Sequence, residues 1–82
     1  MVVVHRAYGF RFVIDTLDHE PAHVHVIGEG HAKINLLGTY GTPEIVFSVG
    51  IKRTDMRRPL AEATARRRVF LLEWERIHGR RD

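Results

Sequence analysis

The chain has no cysteine, which excludes disulfides, thiolate metal sites and cysteine nucleophiles together. It lacks any apolar run near the roughly 20 residues that a membrane-spanning helix needs. Its opening, Met1-Val2-Val3-Val4-His5-Arg6, lacks the basic, then apolar, then small-residue order of a secretion signal. Repeats and low-complexity tracts are missing too. These absences predict a cytoplasmic protein.

What is present suits a globular domain, with 44% hydrophobic and 28% charged residues. The chain is too short to split, so residues 1–82 read as a single domain. A core this small predicts modest stability, to which a partner chain or a second copy would add. The net charge of +3 is unevenly spread. Residues 1–50 carry three Lys/Arg against five Asp/Glu, a balance of −2, whereas residues 51–82 carry ten against five, or +5. A basic final third suits an acidic partner such as nucleic acid, with Arg57, Arg58, Arg80 and Arg81 as phosphate contacts. It equally suits a solvated helix whose arginines pair with Glu62, Glu73 and Glu75.

Tyr8 to Thr16 reads as a strand, because Phe10, Phe12 and Ile14 alternate with Arg11, Val13 and Asp15. Leu17 to Pro21 is polar and ends in proline, so it reads as a loop. Ala22 to Ile27 and His31 to Leu37 are strands joined by Gly28-Glu29-Gly30. A three-residue loop sets the pairs Val26 with Ala32, Val24 with Ile34, and Ala22 with Leu36, keeping one face apolar. The other face then carries Ile27 with His31, His25 with Lys33, and His23 with Asn35. Such loops commonly end in a left-handed residue, and Gly30 stands at that position. After a loop over residues 38–43, Glu44 to Val49 is a fourth strand. Pro59 to His78 reads as one helix with Leu60, Ala63, Phe70, Trp74 and Ile77 on a stripe, stopped by Gly79. Thr54 or Asp55 stands where a helix cap belongs. Arg67 falls within the apolar stripe, which predicts a stem lying along the sheet edge with its head outside. The expected fold is α+β, a four-stranded, mostly antiparallel sheet with one amphipathic C-terminal helix on one face.

His23 and His25 are the sharpest feature. Two apart on a strand, they project from one face, close to Lys33 and Asn35 across the hairpin. Imidazoles beside a lysine suit metal-independent RNA cleavage, in which one group takes the 2′-hydroxyl proton, another protonates the leaving oxygen, and Lys33 stabilises the charged phosphorus centre. The same pair suits a metal site, since both rings reach one ion. That site needs further donors from His31, His19 or Asp15. His31 lies on the order of 10 Å from His23 along the hairpin, and His19 and Asp15 converge only if the loop before Pro21 folds back. The sequence therefore predicts no metal and no cofactor. The plainer reading is an exposed polar face, or imidazoles hydrogen-bonded to the loop at Asp18 and Glu20. The histidine face is expected to be functional and not structural, so replacing both histidines by alanine should change stability by less than about 1 kcal/mol.

From Glu20-Pro21-Ala22-His23-Val24-His25-Val26 the chain resembles a small prokaryotic family, domain of unknown function 4160. Its members carry a Pro-Pro-His-x-His-Val stretch after a first strand. The resemblance continues through Gly30-His31-Ala32-Lys33, the helix from Leu60, and Trp74 to Gly79. Ala22 stands in place of the usual second proline. Members are often encoded beside another small protein and are commonly labelled toxin–antitoxin components. The resemblance thus implies a cognate antitoxin-like partner.

The leading expectation is a small cytosolic toxin–antitoxin-type protein acting on RNA through His23, His25 and Lys33. The alternatives are a non-catalytic module that binds nucleic acid or protein through the basic helix, and a metal-binding protein using the histidine pair.

Overall fold

The computed structural model describes residues 1–79. Five strands, β1 (Val2–Ala7), β2 (Phe10–Ile14), β3 (His23–Ile27), β4 (His31–Asn35) and β5 (Glu44–Val49), form one sheet. They lie in sequence order, each antiparallel to the next. A short 3₁₀ turn over Arg53–Met56 leads into helices α1 (Arg57–Ala65) and α2 (Arg67–His78). The α+β class and antiparallel sheet match the expectation, but there is one more strand and one more helix.

The extra strand is β1. Val2 to Ala7 shows no period of two because a bulge shifts the β1–β2 register between Val3 and His5. His5 consequently faces the core, its ring 5.4 Å from Phe12 and 6.0 Å from Phe70, with its Nε2 atom 3.4 Å from Glu62 Oε1.

The expected single helix divides at Arg66, where φ and ψ are −108° and 14°. Backbone bonds still run from Arg66 N to Glu62 O and from Phe70 N to Arg66 O, both 2.9 Å. The break is therefore a bend in a continuing ladder. Thr64 supplies a physical cause: its hydroxyl donates to the Leu60 carbonyl at 2.8 Å, the back-bonding that bends helices. Thr54 and Asp55 lie inside the 3₁₀ turn, and neither α-helix start has a side-chain cap. Gly79, at φ 81°, ends α2 as expected.

The β3–β4 register is the one the hydrophobic pattern dictates, from His23 opposite Asn35 to Ile27 opposite His31. A bond from Leu36 N to Ala22 O, 3.0 Å, extends it. Gly30 corrects one detail. Among the glycines, positive φ occurs at Gly9, Gly41, Gly50 and Gly79, not at Gly30. Glycine is needed there because the backbone of Val49 and Gly50 crosses where a Cβ would stand.

The core is the sheet face bearing Phe12, Ile14, Val24, Val26, Ala32, Ile34 and Leu36, covered by Met56, Ala63, Phe70 and Trp74. Leu60, Leu71 and Ile77 are half-buried at its margin. Arg67 is half-buried in the stripe, and its guanidinium donates to the Gly41 backbone carbonyl, where a head in water or on a carboxylate was expected.

Candidate functional site

The pairing registers lay out the face turned away from the core as rows. Arg11, Ile27, His31 and Val49 form one row, and Val13, His25, Lys33 and Phe47 the next. His23, Asn35 and Glu44 form a third. Alternation along β3 thus puts His23 and His25 on one face as expected. Their surroundings differ from that expectation.

The segment after β2 folds back over the His23 end of this face. Two backbone–side-chain bonds stabilise its turn: Asp15 N donates to Asp18 Oδ2 at 3.1 Å, and Leu17 N to Asp15 Oδ1 at 3.0 Å. The turn aims the Asp18 carboxylate at the histidines, with Oδ2 3.2 Å from Nε2 of His23 and 3.2 Å from Nε2 of His25. From the other side α2 closes in, with the Trp74 ring 5.0 Å from that of His23. His78 stacks on Trp74 at 3.9 Å and its Nε2 lies 3.1 Å from the Asp15 carbonyl, tying the helix end to the loop.

His23 is consequently only 3% exposed, which corrects the expectation of a surface imidazole. Its Nδ1 donates to the Pro21 carbonyl at 2.8 Å. Burial pushes its pKa below the ordinary value; the Pro21 carbonyl and the Asp18 carboxylate oppose this, while Lys33 and His25 add to it. For Asp18, burial opposes ionisation. The Asp15 N–H and the charges of His23 and His25 outweigh it and hold the carboxyl below its ordinary value.

His25 links this buried corner to solvent. Its Nδ1 lies 2.9 Å from Nε2 of His31, an exposed residue whose ring meets Phe47 edge-on at 5.3 Å. The result is a chain of hydrogen-bonding groups, Asp18–His25–His31, flanked by the half-buried Lys33 and the exposed Arg11. Asp18, His23 and His25 also form a compact donor set, one ligand atom from each lying within 4.8 Å of the others.

The site residues read from the sequence are only partly brought together. His23, His25 and Lys33 share the face. Arg57 and Arg58 lie at the start of α1, and Arg58 stacks over the Tyr8 ring at 4.6 Å beside the β1–β2 turn. That places Arg58 among Gly9, Phe10, Glu29 and Ile51, apart from the histidine cluster. Arg80 and Arg81 lie outside the described residues. Sequence reading missed His31 as the partner of His25, because the contact is diagonal across the ladder. It also missed Arg11, which alternation alone puts on this face. Asp18 was legible as a hydrogen-bond partner, but not as the group that joins both rings.

Among the described residues, no helix is long and apolar enough to cross a membrane. No curated protein matches the chain, and no solved structure does. The family described as "Domain of unknown function (DUF4160)" matches residues 9–75. That span takes in all of β2 to β5, both histidines of the pair, Asp18, His31, Lys33 and Trp74. The chain belongs to this family.

Proposed function

We propose that this chain is a small toxin–antitoxin-type protein that acts on RNA through the face bearing His25, His31 and Lys33, and that a cognate partner protein covers that face. The observation that carries the reading is the 2.9 Å contact between His25 Nδ1 and His31 Nε2, continued by Asp18 at 3.2 Å. With His31 Nε2–H donating to His25 and His25 Nε2–H donating to Asp18, the exposed Nδ1 of His31 is a base. The carboxylate stabilises the imidazolium that forms when this base takes a proton. In RNA that proton is the 2′-hydroxyl's. The 2′-oxygen then bonds to phosphorus and the bond to the 5′-oxygen breaks. A 2′,3′-cyclic phosphate and a 5′-hydroxyl result, water supplying the leaving oxygen's proton. Lys33 and Arg11 place positive charge where the phosphorane gains negative charge. His23, shut beneath Trp74, does not touch RNA.

The test is incubation of the purified full chain with single-stranded RNA in excess chelator. Cleavage to cyclic-phosphate ends, no cleavage of the 2′-deoxy analogue, and loss of cleavage in His31→Ala and Lys33→Ala support the reading. Binding without cleavage under all conditions overturns it in favour of a non-catalytic binding module.

A further inference from the structure

The hydrogen-bond accounting around His23 leaves one contact unexplained. A carbonyl oxygen only accepts, so the 2.8 Å bond to Pro21 puts the proton of His23 on Nδ1. In the neutral ring Nε2 then carries a lone pair, yet it lies 3.2 Å from the Asp18 carboxylate oxygen, a second acceptor. Two acceptors held that close repel each other, and a cation between them, a second ring proton or a metal ion, turns the contact into an attraction. His25 Nε2 lies at the same 3.2 Å from the same oxygen.

We propose that Asp18, His23 and His25 form a binding site for a divalent transition-metal ion of the zinc class, held by Nε2 of each imidazole and one carboxylate oxygen. Four features of the cluster carry this beyond the bare His-x-His spacing. First, ligands about 2.0–2.1 Å from a tetrahedral ion stand roughly 3.3 Å from one another. The two 3.2 Å nitrogen–oxygen separations already have that spacing. Second, each imidazole has an outer partner on its other nitrogen, Pro21 O for His23 and His31 Nε2 for His25. The Pro21 carbonyl fixes the proton of His23 on Nδ1 and aims its Nε2 lone pair inward, and His31 Nε2 accepts from Nδ1 of His25 when an ion holds that ring's Nε2, the second-shell arrangement that metal-ligating histidines use. Third, Asn35 stands across the ladder from His23 on the same face, and its buried Oδ1 has no hydrogen-bond partner among the described residues. A water on the ion would donate to it. Fourth, Asp18 also lines a cleft of about 370 Å³ with His19, Glu20, Trp74, His78 and Gly79, so the ion has a route from solvent. Two imidazoles and one carboxylate suit zinc, iron or cobalt and disfavour calcium and magnesium. The sequence predicted no metal because neither His31, His19 nor Asp15 supplied a convergent third donor; Asp18 supplies it.

The experiment is titration of the metal-stripped full chain with Zn(II), followed by calorimetry and by melting temperature, and with Co(II), followed by its visible absorption. One ion per chain is expected, with cobalt bands of a four- or five-coordinate nitrogen–oxygen site and a higher melting temperature in the loaded protein. Asp18→Asn and His25→Ala should each weaken binding more than ~10-fold, while His19→Ala and His78→Ala should not. Circular dichroism checks that each variant is folded. No binding by the folded chain, or binding that Asp18→Asn and His25→Ala leave unchanged, overturns the proposal. None of these readouts uses RNA, so the site stands or falls separately from the cleavage reading.

Discussion

The indole of Trp74 lies against the imidazole of His23, ring centroids 5.0 Å apart and planes at 51°. One residue from α2 and one from β3 thus join the helix layer to the polar end of the sheet. Trp74 is the chain's only tryptophan, so its fluorescence reports on this corner alone. Truncation to alanine removes a buried ring and unroofs His23. Trp74→Ala should cost about 3–5 kcal/mol in urea denaturation. A cost below about 1 kcal/mol would mean that α2 does not seal the site.

The two histidines of the pair should behave differently. His23 is buried between the Pro21 carbonyl, the Asp18 carboxylate and the Trp74 ring, and His25 is partly exposed with a charged neighbour. In the metal-stripped protein His23→Ala should cost about 2 kcal/mol through lost packing and a lost hydrogen bond. His25→Ala should cost less than about 1 kcal/mol. The sequence alone led to the expectation that both together cost less than that. The difference comes from the loop and helix that close over His23. Equal costs for the two single variants would contradict this asymmetry.

Stability of the metal-stripped chain should fall in two stages on acidification. His23 has a folded-state pKa below its ordinary 6.5, so the unfolded chain takes up this proton first. The contribution of its neutral form is complete above that value and is lost as the pH falls through it. Asp18 is held below its ordinary 3.8, so its contribution is complete above that value and is lost as the pH falls further. Denaturation midpoints measured from about pH 8 down to about pH 3 should show both declines. His23→Gln should remove the first. A stability that rises between neutrality and pH 5 would show that His23 is an imidazolium in the fold.

Much of the hairpin was legible because burial on one face makes register a matter of pattern. A one-residue slip would have turned Val24, Val26 and Ile34 to the open side. Strand β1 was not legible, since its bulge breaks the alternation and leaves Val2-Val3-Val4 without a period. Nor was the helix bend, whose only sequence mark is Thr64 in an otherwise favourable run. At the site, local geometry gave the shared face of His23, His25 and Lys33. It offered Asp18 as a hydrogen-bond partner but gave neither the burial of His23 nor the joining of both rings by one carboxylate, because these depend on where the loop and a distant helix come to rest. The helix contact is long-range, and strand spacing does not encode the path of the loop.

Gly30 offers a test of packing without chemistry. Its φ is unexceptional, so alanine is not strained by backbone conformation. A Cβ there would instead meet the carbonyl of Val49 and the backbone of Gly50, forcing β5 away from the β3–β4 turn. Gly30→Ala should therefore cost about 1–3 kcal/mol. Gly41→Ala meets no atom but sits at φ 77°, and should cost about 1 kcal/mol from conformation alone. If Gly30→Ala is neutral, the approach of β5 to this turn is looser than the geometry implies.

The metal site and the proton relay share His25, and this fixes how one should act on the other. As a base-activating relay, His25 holds its proton on Nε2, toward Asp18 at 3.2 Å, and accepts from His31 through Nδ1. With an ion on Nε2, the proton of His25 must sit on Nδ1 and be donated to His31 Nε2. The neutral His31 ring then carries its own proton on the exposed Nδ1, the atom that RNA cleavage requires to be bare. Zinc should therefore suppress cleavage instead of supporting it, and chelator should restore it. On the two readings together, cleavage should fall with zinc in proportion to occupancy measured by calorimetry. Asp18→Asn weakens both the ion and the relay, so the informative variant is His23→Gln. It removes a metal ligand and leaves Asp18, His25 and His31 in place. His23→Gln should cleave RNA like the parent in chelator and resist zinc at concentrations that silence the parent. Cleavage stimulated by zinc would reverse the assignment, making the ion the reactive centre and His31 a bystander.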